Sequence, residues 1–112
     1  YQPHIVQGKT KTWIKNVFSK ETTKTIKEDL INVIADEKGT GHSIYHDNVT
    51  LAGKTGTAEI KQSQSDTSGT ELGWFTVMTI DEKQPLLITT MVGGSGYVVE
   101  HTKTPLDLYL SK

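Results

Sequence analysis

The sequence LAGKTGTAEIK, residues 51–61, decides how the rest of this 112-residue chain is interpreted. Residues 49–60 combine threonine, valine and isoleucine with small residues and contain no proline, which predicts a β-strand. Side chains alternate between the two faces of such a strand. The alternation gives two sets: Lys54, Gly56 and Ala58 on one face, and Thr55, Thr57 and Glu59 on the other.

A helical pattern precedes this strand. Four apolar residues recur at the spacing of one helical face: Ile26, Leu30, Val33 and Ile34. They predict a helix from about Thr23 to Asp36, with Thr22 and Thr23 as the candidate N-caps. The glycine-containing stretch Gly39–Asn48 is then a loop that leads into the strand.

Two further stretches, Leu72–Ile80 and Pro85–Val92, are rich in aromatic and β-branched residues. A polar segment separates them, which predicts an antiparallel hairpin. Residues 62–70 contain no large apolar side chain and predict an exposed connection. A terminal helix is expected after Gly96, and Pro105 should kink or restart it because proline lacks a backbone N–H.

The beginning of the chain has weaker signals. Tyr1–Val6 is predicted as an edge strand or an extended lead-in because it contains a proline, and Trp13–Phe18 as a short strand or an extended arm. The predicted order of elements is strand, strand, helix, three strands, helix. This order favours an α+β fold in which helices flank an antiparallel sheet.

Composition excludes several classes of function. The net charge is −1 and all 12 basic residues are lysine, so neither a positive patch nor arginine is available and no nucleic-acid partner is expected. The absence of cysteine excludes disulfides and thiol chemistry. Only 34% of the residues are hydrophobic, which suggests that a chain of one small domain's length is part of something larger.

The strand at residues 51–61 carries the residues best suited to binding an anion. Gly56 allows a ligand to approach the backbone, Lys54 supplies positive charge, and the hydroxyls of Thr55 and Thr57 supply hydrogen bonds. On an edge strand the Thr57 N–H would be available to a developing oxyanion. An exposed strand with ordinary surface lysines explains the same residues. A nucleotide phosphate loop does not, because only two residues separate Gly53 from Gly56.

A family resemblance favours the first interpretation. Lys54-Thr55-Gly56-Thr57 resembles the Lys-Thr-Gly motif of penicillin-binding proteins and serine β-lactamases. The turn Gly39-Thr40-Gly41 and the strand start Gly73-Trp74-Phe75 resemble the flanking features of transpeptidase domains. The stretch Ala58-Glu59-Ile60-Lys61, taken with Gly73-Trp74-Phe75, looks most like class B enzymes of the low-affinity, β-lactam-tolerant Gram-positive group. The resemblance implies that the sheet is part of a β-lactamase/transpeptidase-like fold.

The resemblance also implies a reaction and its residues. In this family a serine attacks a stem peptide ending in D-alanyl-D-alanine, releases D-alanine and passes the acyl group to a neighbouring amine, and β-lactams mimic the substrate. Lys54 and Thr57 would be catalytic, and Lys54, Thr55, Gly56 and Thr57 would bind the substrate or the β-lactam. No cofactor and no metal are expected, and His42 and His46 are interpreted as surface loop residues.

Two motifs of the family do not occur in this sequence. No serine is followed three positions later by lysine, and none is followed two positions later by asparagine. We therefore expect residues 1–112 to be the C-terminal portion of a transpeptidase domain, with the nucleophile outside this chain and the fragment inactive alone. The parent would be extracytoplasmic and anchored to the membrane by an N-terminal segment not present here.

Other interpretations remain open from the sequence. A β-lactam sensor or a β-lactamase shares the motif, although both usually continue it with a glycine where this chain has Ala58. A non-catalytic module that binds cell-wall peptide would lack the nucleophile altogether. The expected partners are the stem peptide, β-lactams and the remaining part of the domain. An open sheet edge also predicts self-association of the fragment.

Overall fold

The computed structural model describes residues 8, 12, 14–81, 83–94 and 97–111. The elements are α1 (Lys20–Ala35), a short 3₁₀ helix (His42–Ile44), β1 (Leu51–Ile60), β2 (Thr70–Thr79), β3 (Leu87–Gly93) and α2 (Val98–Leu110). The three strands form one antiparallel sheet in the order β1-β2-β3. The predicted α+β class and the predicted hairpin are confirmed.

The structure tests the predictions for the beginning of the chain only in part. The edge strand expected over residues 1–6 lies outside the described residues, as does Trp13. Residues 14–18 form no strand, so the short-strand alternative for this stretch is wrong over its described part.

Helix α1 begins earlier than its apolar pattern predicts. The predicted caps, Thr22 and Thr23, lie inside the helix, and Ser19 is the N-cap, with its hydroxyl oxygen accepting from the Thr22 N–H at 3.0 Å. A serine oxygen satisfies one of the N–H groups that the first turn leaves without an intrahelical partner. The first turn therefore forms on polar residues, without help from the apolar face. The helix ends at Ala35, with Asp36 as the C-cap.

One face of the sheet carries the core. Phe75 and Val77 of β2 are fully buried there, and Ile34 of α1 and Leu106 of α2 pack against the same cluster. Burial of each of these side chains contributes about 1.5–3 kcal/mol. The core therefore holds the C-terminal half of α1 and the buried side of α2 against the same face of the sheet.

Helix α2 passes through Pro105 as one element, from Val98 to Leu110, so the predicted restart is wrong. Proline removes one backbone hydrogen bond of the helix. Val98, Val99 and Leu106 are buried on both sides of it, and their packing offsets that loss. The buried Thr102 hydroxyl lies 2.9 Å from the Val98 carbonyl oxygen and 2.7 Å from the Thr90 hydroxyl, which ties the helix to β3.

Candidate functional site

Strand β1 lies at one end of the sheet and pairs only with β2 among the described strands. In an antiparallel pair, residues whose backbone groups bond across the pair alternate with residues whose groups point away. The Ile80 N–H donates to the Thr50 carbonyl at 2.9 Å, and these residues continue the β1–β2 register by one step. Counting from Thr50 along β1, the N–H and C=O groups of Thr55 and Thr57 point away from β2.

The neighbouring strand β2 leads to the same direction for the Thr57 backbone groups. Gly73 of β2 is the register partner of Thr57, and its N–H donates to the Gly94 carbonyl at 2.9 Å, on the side of β3. Gly73 therefore does not bond to Thr57. The Thr57 N–H points to the open edge of β1, where the described residues supply no strand.

Lys54 brings a positive charge to this edge. Its side chain is exposed, and its Nζ donates to the Thr55 carbonyl oxygen at 2.6 Å. That carbonyl is one of the groups that point away from β2. The ammonium group and the Thr57 N–H therefore lie on the same side of the strand, where one anion can contact both.

The two threonine side chains of the motif differ in their surroundings. Thr57 is exposed, whereas Thr55 is half-buried. The Thr55 Oγ1 lies 3.2 Å from the Oγ1 of Thr40, a residue 15 positions earlier in the chain. The sequence drew attention to Thr40 only as part of a glycine turn, and no local pattern could have revealed this contact.

Thr40 lies between two glycines that pack closely against the rest of the chain. A Cβ at Gly39 would overlap the carbonyl oxygen of Val33, near the end of α1. A Cβ at Gly41 would lie 3.1 Å from Ile34 Cγ1 and 3.3 Å from Phe75 Cζ. The turn therefore packs against α1 and the core in a way that excludes a Cβ at position 39 and leaves little room for one at position 41.

The two glycines of β1 differ in how closely other atoms approach them. A Cβ at Gly53 would lie 3.0 Å from the Thr76 carbonyl oxygen and 3.0 Å from Ile34 Cδ1. A Cβ at Gly56 would meet only Trp74 Cβ, at an ordinary distance of 3.7 Å. Packing within the described chain therefore accounts for glycine at position 53 and leaves position 56 sterically open.

Glu59 and the two loop histidines have partners within the chain. Glu59 forms an ion pair with Lys61. His42 Nδ1 lies 2.9 Å from the Ile34 carbonyl oxygen, and His46 Nε2 lies 2.9 Å from Asp107 Oδ1. The two imidazoles are thus bound to different elements. Among the described residues, no three His, Cys, Asp or Glu side chains are grouped to hold a metal.

The connection between β1 and β2 is organised by Asp66, which the sequence analysis did not single out. Its carboxylate accepts from the Ser68 hydroxyl at 2.6 Å, the Ser68 N–H at 2.8 Å and the Gln62 N–H at 3.2 Å. These hydrogen bonds, with the Ser68 hydroxyl first, lower the pKa of Asp66. An aspartate that accepts from the N–H two residues further on is typical of such turns.

Comparison with known proteins gives a family. Residues 1–105 match the model described as the penicillin binding protein transpeptidase domain. The chain is also 39% identical over 111 residues to "Penicillin-binding protein 3" of Bacillus subtilis (strain 168). That match covers 91% of this chain but 16% of the relative's length. No helix in the described ranges is long and apolar enough to cross a membrane. The chain belongs to the penicillin-binding protein transpeptidase domain family.

Proposed function

We propose that residues 1–112 are the C-terminal portion of a serine D,D-transpeptidase domain that cross-links peptidoglycan. Its substrates would be stem peptides ending in D-alanyl-D-alanine, and β-lactams would acylate the same serine. The observation that supports the proposal is the open edge of β1, where the Lys54 ammonium and the Thr57 N–H lie on the same side of the strand.

In the proposed reaction the serine is supplied by a part of the domain outside this chain. Its oxygen bonds to the penultimate D-alanine carbonyl, the peptide bond breaks, and D-alanine leaves with the proton that its nitrogen gains. The amine of a second stem peptide then displaces the serine. The Thr57 N–H would stabilise the oxyanion in both steps because it is already oriented and is not used by the sheet.

The remaining motif residues would bind the substrate's terminal carboxylate. Lys54 would supply its charge, and the hydroxyls of Thr55 and Thr57 would donate hydrogen bonds, which are stronger when the acceptor is ionised. Gly56 would leave room for the ligand above the strand. This role explains a glycine that packing within the described chain does not require.

The proposal also includes the cellular location of the parent protein and its subgroup within the family. Peptidoglycan lies outside the cytoplasm, so the parent would be extracytoplasmic and anchored by an N-terminal segment outside this chain. We further propose the low-affinity class B group, on the resemblance of residues 58–61 and 73–75. The name of the Bacillus relative supports penicillin binding in this family.

Labelling by a fluorescent penicillin tests the proposal in the full-length protein that carries this chain. We expect a covalent adduct, and in Lys54→Ala about 100-fold slower labelling, the effect of removing one electrostatic stabiliser of an acyl-transfer site. Lys24→Ala, which removes an exposed lysine of α1 paired with Glu28 at 3.8 Å, should label at the wild-type rate.

Three results would contradict the proposal. An unlabelled wild-type protein would favour a non-catalytic peptide-binding module. Rapid release of hydrolysed penicillin would favour a β-lactamase. Unchanged labelling of Lys54→Ala would remove the role given to the ammonium group.

A further inference from the structure

The contact between Thr40 and Thr55 joins the turn after α1 to the strand that carries the motif. The turn is fixed independently of this contact, because the Gly41 N–H donates to the Val33 carbonyl at 2.9 Å and the His42 N–H to the Gly39 carbonyl at 3.1 Å. Thr40 is exposed and stands between Gly39, where a Cβ would overlap the Val33 carbonyl, and Gly41, where a Cβ would be tightly packed. Its hydroxyl is therefore held 3.2 Å from Thr55 Oγ1 by structure on both sides.

We propose that Thr40 is a positioning residue, whose hydroxyl donates to Thr55 Oγ1 and so directs the Thr55 proton toward the carboxylate of the acyl donor. The inference rests on the proposed function, since it assumes that Thr55 faces such a carboxylate. It adds a residue outside the Lys-Thr-Gly motif to the binding of that group.

The direction of the hydrogen bond follows from the ligand's charge. A hydroxyl has one proton and two acceptor sites, whereas an ionised carboxylate only accepts. If Thr55 donated to Thr40, it would present lone pairs to the carboxylate and repel it. If Thr40 donates, Thr55 keeps its proton for the ligand. Donation by Thr40 also polarises the Thr55 hydroxyl and strengthens the second hydrogen bond.

The test compares two forms of one penicillin in the full-length protein: the free carboxylate and its methyl ester. In Thr40→Val we expect acylation by the carboxylate form to slow about tenfold, the effect of weakening a hydrogen bond to a charged group. Acylation by the ester should change less than about twofold, because the ester accepts only weakly. Thr40→Ser, which keeps the hydroxyl, should restore the rate with the carboxylate.

The sheet offers a matched control. Thr76 and Thr89 form a second pair of threonine hydroxyls, 3.1 Å apart, between β2 and β3. Thr89→Val removes that hydrogen bond and should leave both acylation rates unchanged. In a Thr55→Val background, Thr40→Val should add no further loss, because the group it acts through is gone.

The outcomes separate this inference from the proposed function. Equal slowing with carboxylate and ester would assign Thr40 a structural role and overturn the inference, and so would an unchanged rate in Thr40→Val. A wild-type protein that no penicillin labels would overturn the proposed function itself. If Thr40→Val does not fold, Thr40→Ala gives the same comparison without added bulk.

Discussion

Gly53 and Gly56 show how one residue type serves packing at one position and a ligand at another. Gly53 is buried and is enclosed by Ile34, Phe75 and the backbone of Thr76. Gly56 is exposed and has no close contact that an added Cβ would disturb. A substitution at each position therefore separates stability from binding.

We predict that Gly56→Ala changes the free energy of unfolding by less than about 0.5 kcal/mol, as is usual for an open surface position. In the full-length protein it should nevertheless slow acylation by penicillin about tenfold, because the methyl group occupies the approach of the ligand. Gly53→Ala should destabilise the fold by about 1–3 kcal/mol through overpacking. Urea unfolding and penicillin labelling of both variants measure the two effects.

A Gly56→Ala protein that labels at the wild-type rate would show that nothing approaches this part of the strand. A Gly53→Ala protein of unchanged stability would show that the core around Phe75 accommodates a methyl group. Either result would contradict the assignment of the two glycines.

The residue scale also shows what sequence could not predict. Lys54, Gly56 and Thr57 stand together in the chain, so their spacing and a family resemblance were enough to select them. Thr40 and Thr55 are 15 positions apart, and their contact depends on how α1, the turn and β1 pack. Periodicity carries no information about such a pair.

At the scale of elements, the predictions failed where a local signal competed with tertiary packing or with a better cap. The apolar pattern predicted that α1 begins at about Thr23, yet Ser19 caps a helix that begins three residues earlier, at Lys20. Pro105 predicted a kink or a restart of α2, yet Leu106 is completely buried and the helix continues without a restart. The β1 and hairpin predictions succeeded because strand residues and polar connections alternate clearly along the chain.

The loop between β1 and β2 should depend on pH through Asp66. Its hydrogen bonds, first that from the Ser68 hydroxyl, lower its pKa from an ordinary value near 3.8. A carboxyl with a lowered folded-state pKa stabilises the fold above its unfolded pKa, and this contribution is lost as the pH falls through the folded value. We therefore expect hydrogen-exchange protection of the Ser68 and Gln62 amides to be constant above about pH 5 and to decrease below pH 3.8.

Asp66→Asn provides the matched control because its amide keeps one acceptor oxygen and does not titrate. Protection of the same two amides should be weaker in this variant and should show no step as the pH falls below 3.8. A step that persisted in Asp66→Asn would assign the titration to another group.

At the scale of the whole molecule, the two faces of the sheet are unlike. The face that carries Phe75 is covered by α1 and α2, whereas the opposite face presents Trp74 and Met91 to solvent. Lys54 and Gly56 lie on this exposed face, as their register partners Thr76 and Trp74 show. The helices of the chain therefore build the core on one face, while the other face, although buried at Ala52, leaves Lys54 and Gly56 accessible beside Trp74 and Met91.

Strand β3 pairs only with β2 within the part of the chain that the structure describes, and it so adds an open edge to that apolar surface. The Thr79 N–H donates to the Leu86 carbonyl at 3.1 Å, so by alternation the backbone groups of Leu87, Thr89 and Met91 point away from β2. The side chains of Leu87 and Met91 are 65% and 54% exposed. Unpaired backbone groups beside exposed apolar side chains are a template for pairing with another chain.

We therefore predict that the 112-residue chain, produced on its own, self-associates through β3 with a sedimentation coefficient that rises with protein concentration. The double variant Leu87→Lys/Met91→Lys should remain monomeric, because charges on an edge strand repel a second copy. Leu108→Lys, at a position of α2 that is 64% exposed, is the matched control and should associate like the wild type. A wild-type chain that sediments as a monomer at all concentrations, or an equal loss of association in Leu108→Lys, would contradict a role for the β3 edge.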